Sequence, residues 1–266
     1  MQITSRKWLA ACAMSALSCA AQAAPVTHQV FTPTYGDWSF SNNLVGLLNA
    51  TNVALITGTE GAFTSATYKT NPTTQKQRYF TLDASTPLRE ITIDDTTGDF
   101  LSAQFGGSVT ISNSGANIAT TGGSLTLSNW RVDFIERKIY STITGGNDVG
   151  LLPDVALWTF DAPTGNTAVS PGDITAMSLG ASVGIPYAFG FGNQTSIALP
   201  NLKITTLGFD LWQRSQGYNN LGVNALNVVQ NFGTVTISNV PESSTYAMLL
   251  TGLMVVGAAR RRATKR

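Results

Sequence analysis

The sequence predicts an all-β protein: a single β-sandwich domain, of jelly-roll or similar type, between an N-terminal signal peptide and a C-terminal transmembrane helix. Three observations lead to this prediction. Charged residues make up only 12% of the 266 residues, about half of the ~25% that is usual in soluble proteins. Short runs of alternating apolar and polar residues fill the middle of the chain, and an apolar run flanked by basic residues lies at each end. The expected segments are therefore 1–23, 24–239 and 240–266.

The first segment, residues 1–23, has the three parts of a secretory signal peptide. Arg6 and Lys7 form its basic start, residues 8–17 form a short apolar run, and Ala21-Gln22-Ala23 forms a cleavage site. The chain is therefore expected to leave through the Sec translocon, and signal peptidase is expected to cut before Ala24.

Cysteine and histidine, two residue types that often act in catalysis and metal binding, are scarce. Both cysteines, Cys12 and Cys19, lie in the signal peptide, so the mature chain is expected to have neither a disulfide nor a thiolate metal site. His28 is the only histidine and closely follows the cleavage site, which leaves a Ser-His-Asp or Cys-His triad without a base in the body. Residues 16–19 are also a weak match to a lipobox, so lipoprotein processing at Cys19 is an alternative.

The body, residues 24–239, shows the period-two alternation of half-buried strands. The alternating sets are Ile91/Ile93, Leu125/Leu127, Trp130/Val132/Phe134, Ile139/Ser141/Ile143, Leu207/Phe209/Leu211 and Val235/Ile237. Turn-forming residues separate them, at 95–99, 113–115, 121–123, 145–148 and 170–173. The alternation changes parity at Ser128-Asn129, which predicts a β-bulge. One or two helical turns are expected over Ser41–Asn49, and no long amphipathic helix is expected elsewhere.

The charge of the body disfavours nucleic acids and anionic lipid surfaces as partners. Between Ala24 and Val240 there are nine basic and fourteen acidic residues, a net charge of −5. General electrostatics therefore disfavour binding to nucleic acids and to anionic lipid surfaces.

Acidic residues cluster at two places in the body. Asp94, Asp95 and Asp99 form one cluster, and Asn147, Asp148 and Asp154 form the other. Glycosidases use a pair of carboxylates as catalytic groups, so the clusters could be catalytic. Their oxygen atoms could also bind calcium, but neither cluster has the spacing of an EF-hand. Turn capping is the preferred interpretation, so no catalytic residue, metal site or cofactor is expected.

The aromatic residues offer a second kind of candidate site. Trp38, Trp130, Trp158, Trp212, Tyr187 and Tyr218 are the aromatic residues that could stack on sugar rings. Core packing is the simpler interpretation for tryptophans in alternating strands. The candidate sugar-contact residues are Trp212, Arg214 and Tyr218, because they combine aromatic rings with a guanidinium donor in an expected loop.

The third segment, residues 240–266, has a short motif, an apolar run and a basic end. The motif is Val240-Pro241-Glu242-Ser243, and the uncharged run from Ser243 to Ala259 is at the short end of what spans a bilayer. Arg260, Arg261 and Arg262 follow at once and fit a basic stop held in the cytoplasm. The expected membrane-anchor residues are Tyr246, Leu249, Leu250, Gly252, Leu253, Val255, Val256 and Gly257.

These three parts in this order resemble the PEP-CTERM sorting signal of Gram-negative bacteria. Val240, Pro241 and Glu242 match its motif, while Ser243 replaces the second proline. The resemblance implies that the chain is held transiently in the inner membrane, cut near the motif by an exosortase, and passed to the cell surface or the extracellular matrix. Pro241 and Glu242 would then be read by another enzyme.

The sequence thus leads to three functional hypotheses. The first is a non-enzymatic surface or matrix protein that is associated with exopolysaccharide or biofilm. Its expected partners are the Sec translocon, signal peptidase and an exosortase, and it is not expected to bind nucleic acid. The second is a secreted carbohydrate-active enzyme that uses paired carboxylates. The third is a periplasmic domain that stays anchored in the inner membrane because its tail is never cut.

Overall fold

The computed structural model describes residues 25–29, 34–51, 53–57, 61–74, 76–115, 118–169 and 196–239. The predicted signal peptide, the predicted sorting tail, Tyr187 and the predicted turn at 170–173 lie outside these residues. The strands are β1 Pro25–Gln29, β2 Thr34–Phe40, β3 Val53–Thr57, β4 Phe63–Thr70, β5 Gln77–Asp94, β6 Phe100–Asn113, β7 Gly123–Asp133, β8 Lys138–Gly145, β9 Gly150–Thr159, β10 Thr164–Gly165, β11 Ser196–Leu199, β12 Lys203–Ile204 and β13 Gly233–Asn239. The helices are α1 Asn42–Ala50, α2 Thr206–Ser215 and α3 Asn220–Val228.

The strands join in one antiparallel sheet that curls into a half-barrel. Its order is β10-β11-β13-β2-β5-β6-β7-β8-β9-β12, and β1, β3 and β4 pair at the side of this path. The 18-residue strand β5 connects the two arms of the sheet. Its first part pairs with β4 and β2, and its second part pairs with β1 and β6. The prediction of a mainly β-structured body is confirmed.

The interior of the curled sheet is apolar and centred on three tryptophans. Trp38 of β2 lies 4.9 Å from Trp158 of β9 and 5.5 Å from Trp130 of β7, measured between ring centroids. These contacts join the two arms of the sheet across the core. The predicted alternation is confirmed in β5, β7, β8 and β13, where the inward side chains are buried.

The predicted bulge at Ser128-Asn129 is confirmed. The pairing of β7 with β8 shifts register between Ser128 and Arg131, and Asn129 has a positive φ of 49°. Asparagine tolerates this left-handed conformation better than most residues. The extra residue restores parity, so that both Leu127 and Trp130 are buried.

Helix α1 confirms the helical turns expected over Ser41–Asn49. Ser41 is its N-cap, and the Oγ atom of Ser41 accepts a hydrogen bond from the backbone N–H of Leu44 at 3.2 Å. The helix buries Leu44 and Leu48 completely.

The strand predicted from Leu207/Phe209/Leu211 is wrong, because these residues belong to helix α2. The buried positions of α2 are Gly208, Leu211, Trp212 and Ser215, which follow the helical spacing i, i+3, i+4, i+7. A threonine at the start supports the helix, since the Oγ1 atom of Thr205 accepts from the N–H of Gly208 at 2.9 Å. Leu207 is 53% exposed, so the alternating residues do not share one buried face, and the burial of Leu211 and Trp212 follows the helical period.

Within the described ranges, no helix has the length and apolar character needed to cross a membrane. The predicted span from Ser243 to Ala259 lies outside those ranges.

Candidate functional site

The predicted sugar-contact residues do not form a common surface. Trp212 is fully buried and packs edge-on against Phe232 at 5.5 Å between ring centroids, so its ring has no face for a sugar and the prediction is wrong for this residue. Arg214 is exposed and pairs with Asp210 one helical turn away, at 3.3 Å. Burial raises the pKa of the Tyr218 hydroxyl, against the effect of neighbouring Trp212 and Thr51. Helix α2 thus contributes Trp212 to the core and does not present it to a ligand.

The acidic cluster at the β5–β6 turn caps that turn. The Oδ1 atom of Asp94 accepts from the backbone N–H groups of Thr96 and Thr97, at 2.8 and 3.1 Å. Asp99 accepts a hydrogen bond from the Thr97 hydroxyl at 2.8 Å. Each contact shapes the turn itself, as an Asx turn does. The turn interpretation of Asp94, Asp95 and Asp99 therefore accounts for the contacts of this cluster.

In the second polar cluster, Asn147 and Asp154 contact different parts of the fold. The side-chain amide of Asn147 donates to the carbonyl oxygens of Gly122 and Ser215, at 2.8 and 3.2 Å. It thereby ties the β8–β9 turn to the end of α2. Asp154 instead binds the guanidinium of Arg131 at 2.9 Å. Across the part of the chain that the structure describes, no group of three or more His, Cys, Asp or Glu residues is arranged to hold a metal ion.

The outer face of β7 to β9 carries a balanced network of charges. Arg131 bonds Asp154 and lies over the ring of Tyr140, 4.0 Å from its centroid. Lys138 bonds Glu136 at 2.9 Å, and hydrogen bonds from Lys138 and then from Tyr140 hold the pKa of Glu136 below its ordinary value. Every cation of this network has a carboxylate beside it.

A cleft that the sequence reasoning missed lies between α1 and the β4–β5 hairpin. We call it the hairpin cleft; it has a volume of about 870 Å³, and its walls include Lys69, Lys76, Arg78, Phe80 and Asn49. Its three cations come from one short stretch, since residues 61–82 contain three basic and no acidic residues. That run of one-signed charge, in a body of net negative charge, was the signal available in the sequence.

An asparagine holds the hairpin against α1. The side-chain amide of Asn49 donates to the carbonyl oxygen of Tyr79 at 2.9 Å, and its oxygen accepts from the N–H of Tyr79 at 2.8 Å. The side chain thus pairs with the backbone of β5 as a neighbouring strand would. These two hydrogen bonds fix the position of β5, in one wall of the hairpin cleft, relative to α1 in the other wall.

Comparison of the chain with profiles of protein families, with curated proteins and with solved structures found no match. The residues and contacts of this chain, and the resemblance of its tail to a sorting signal, are therefore the basis for inferring its function.

Proposed function

We propose that this chain is an exported, non-enzymatic protein of the cell surface or extracellular matrix, sorted through its C-terminal tail. One structural observation supports the proposal above all. The last described strand, β13, ends at Asn239, and the sorting motif begins at the next residue, Val240. The strand lies inside the sheet, between β11 and β2. A cut near Pro241 would therefore remove none of the described strands.

The same reasoning applies to the other end of the chain. The first described strand, β1, begins at Pro25, and signal peptidase is proposed to cut before Ala24. Both proposed cuts lie outside the described strands, so neither cut removes a strand of the sheet. The inner membrane is a transient stage of this route, and an exosortase is the proposed processing enzyme.

The body is proposed to act by binding and not by catalysis. Its acidic clusters are engaged in turns and ion pairs, which supports a structural role for them over the paired carboxylates of a glycosidase. We further propose that the two arms of the curled sheet act as the layers of a jelly-roll-like sandwich, supported by the contacts of Trp38 with Trp130 and Trp158. Exopolysaccharide is the proposed partner of this body.

The route is tested by intact mass and cell fractionation of the protein in its own cells. We expect the mature protein to begin at Ala24, to lack the arginine tail and to be found outside the inner membrane. Glu242→Ala should accumulate uncut in the inner membrane, because the motif is read there. Glu136→Ala, which removes an exposed carboxylate of the body, is the matched control and should be processed normally. A wild-type protein that keeps its full tail in the inner membrane would contradict sorting and support the anchored periplasmic domain.

A further inference from the structure

We propose that the hairpin cleft binds carboxylate-bearing sugar units of an anionic polysaccharide. The inference rests on the polysaccharide association of the proposed function and deepens it by naming the site and the ligand class. It can fail while the sorting of the tail holds, because the two use different residues. Its support comes from the charge, the shape and the exposed ring of the cleft.

The hairpin cleft concentrates positive charge. Lys69 of β4 and Arg78 of β5 are direct partners in the antiparallel register. Residues in such positions share one face of the sheet at close range, and like charges there destabilise the pair. Lys76 adds a third cation to the same cleft. An anion seated in the cleft would relieve this repulsion.

The cations of the cleft differ from those elsewhere in the body. Arg131, Lys138, Lys203 and Arg214 each lie within 3.3 Å of a carboxylate oxygen. Among the described residues, no carboxylate forms an ion pair with Lys69, Lys76 or Arg78. These four cations are thus balanced by carboxylates of the chain, whereas the three cations of the cleft are left for an external anion.

The rest of the cleft favours a sugar over a simple anion. Phe80 is 55% exposed beside the cations, and an exposed aromatic side chain suits the apolar side of a sugar ring. Thr70, Thr74 and Gln77 add hydroxyl and amide groups to the lining. The volume of about 870 Å³ is in the range of sites for organic ligands, roughly 300–1,000 Å³, and far exceeds the needs of one phosphate ion.

The test measures binding of the full-length protein, purified in mild detergent, to polygalacturonate. Methyl-esterified polygalacturonate is the matched ligand control, because it keeps the sugar rings and lacks the carboxylate charge. We expect binding to the charged polymer that weakens with added salt, and little binding to the ester.

Variants connect that binding to the cleft. The triple variant Lys69→Gln/Lys76→Gln/Arg78→Gln should lose roughly tenfold or more in affinity, because it removes three charged donors. The triple variant Arg137→Gln/Lys138→Gln/Lys203→Gln changes the net charge equally outside the cleft and should stay within about twofold of wild type. Phe80→Ser keeps all three cations and should lose about threefold or more through the lost ring contact.

Four results would overturn the proposal. These are no binding of polygalacturonate by the wild-type protein, equal binding of the ester, equal losses in the two triple variants, and inorganic phosphate competing as well as galacturonate does. Because the cleft and the sorting motif use different residues, the cleft variant should be cut and sorted in cells as the wild-type protein is. If sorting of the wild-type protein fails while polygalacturonate still binds in the cleft, the proposed route is wrong and the ligand site stands.

Discussion

The β4–β5 hairpin and the β7–β9 part of the sheet are both antiparallel, yet they use charge and aromatic rings in opposite ways. In β7 to β9, Arg131 and Lys138 are paired with carboxylates and Trp158 is completely buried. In the hairpin, Lys69 and Arg78 face each other across the strands, and Phe80 is 55% exposed.

This difference indicates that β7 to β9 mainly stabilise the fold, whereas the β4–β5 hairpin leaves its cations and an aromatic ring accessible to a ligand. Burial of apolar rings and pairing of charges both lower the free energy of the folded state. Exposed rings and facing like charges do not, so their presence in one hairpin needs another explanation. Binding of an anionic ligand supplies one, and each experiment below tests one side of this contrast.

The largest effect is expected from the aromatic rings. Trp158→Ala should lower the free energy of unfolding by about 3–5 kcal/mol, because it leaves a cavity beside Trp38 and Trp130. Phe80→Ala in the hairpin should change it by no more than about 0.5 kcal/mol. Urea denaturation of both variants measures the difference. Similar losses in the two would show that the Phe80 ring also stabilises the fold.

A smaller effect is expected at the joint between α1 and the hairpin. Asn49→Ala removes both hydrogen bonds to Tyr79 and should destabilise the protein by about 1–2 kcal/mol. It should also speed hydrogen exchange of the Tyr79 amide. Asn43→Ala, at an exposed position of the same helix, is the matched control. Unchanged exchange at Tyr79 would contradict the role given to Asn49.

Opposite signs are expected when one cation is removed from each region. Arg131→Gln should lower the free energy of unfolding by less than about 1 kcal/mol, because its partner Asp154 is largely exposed. Lys69→Gln should instead raise Tm, by roughly 1–2 °C, because it relieves the repulsion by Arg78. Both shifts should shrink at high salt. A fall in Tm for Lys69→Gln would mean that the hairpin is not strained by its charges.

The smallest effect is expected on the pH dependence of Tm. The pKa of Glu136 in the folded protein is lowered from its ordinary value of 4.5 by the hydrogen bonds from Lys138 and Tyr140. A carboxylate with a lowered folded pKa stabilises the protein above its ordinary pKa, and this contribution is lost as the pH falls from there through the folded value. Glu136→Gln should therefore flatten the fall of Tm between pH 5 and pH 3, relative to wild type. Lys69→Gln should keep the wild-type slope, since residues 61–82 contain no carboxylate side chain.

Local patterns in the sequence predicted much of the sheet. Alternation placed Ile91 and Ile93 in a strand, and the change of parity at Ser128-Asn129 located the bulge, because both signals depend only on neighbouring residues. The same alternation was misleading at Leu207/Phe209/Leu211. There the burial of Trp212 against Phe232 decides the structure, and such a contact between distant residues is not visible in a short window.

The candidate sites show the same limit. Capping by Asp94 is a local matter and was predicted from the turn sequence. The hairpin cleft depends on Asn49 meeting Tyr79, thirty residues later, and on the register that sets Lys69 opposite Arg78. The sequence contains the basic stretch 61–82 as a signal that was not used, and only the fold shows that its cations share a cleft with Phe80.

The position of β13 has a mechanical consequence. The strand is hydrogen-bonded on both sides, to β11 and to β2, and its seven residues from Gly233 to Asn239 all pair with β2. Hydrogen bonds in an antiparallel sheet are perpendicular to the strands. A pull applied at Asn239 along the strand therefore loads these bonds in shear and together, whereas an edge strand pulled sideways would peel away one bond at a time. The body can thus bear tension at the end from which its tail departs.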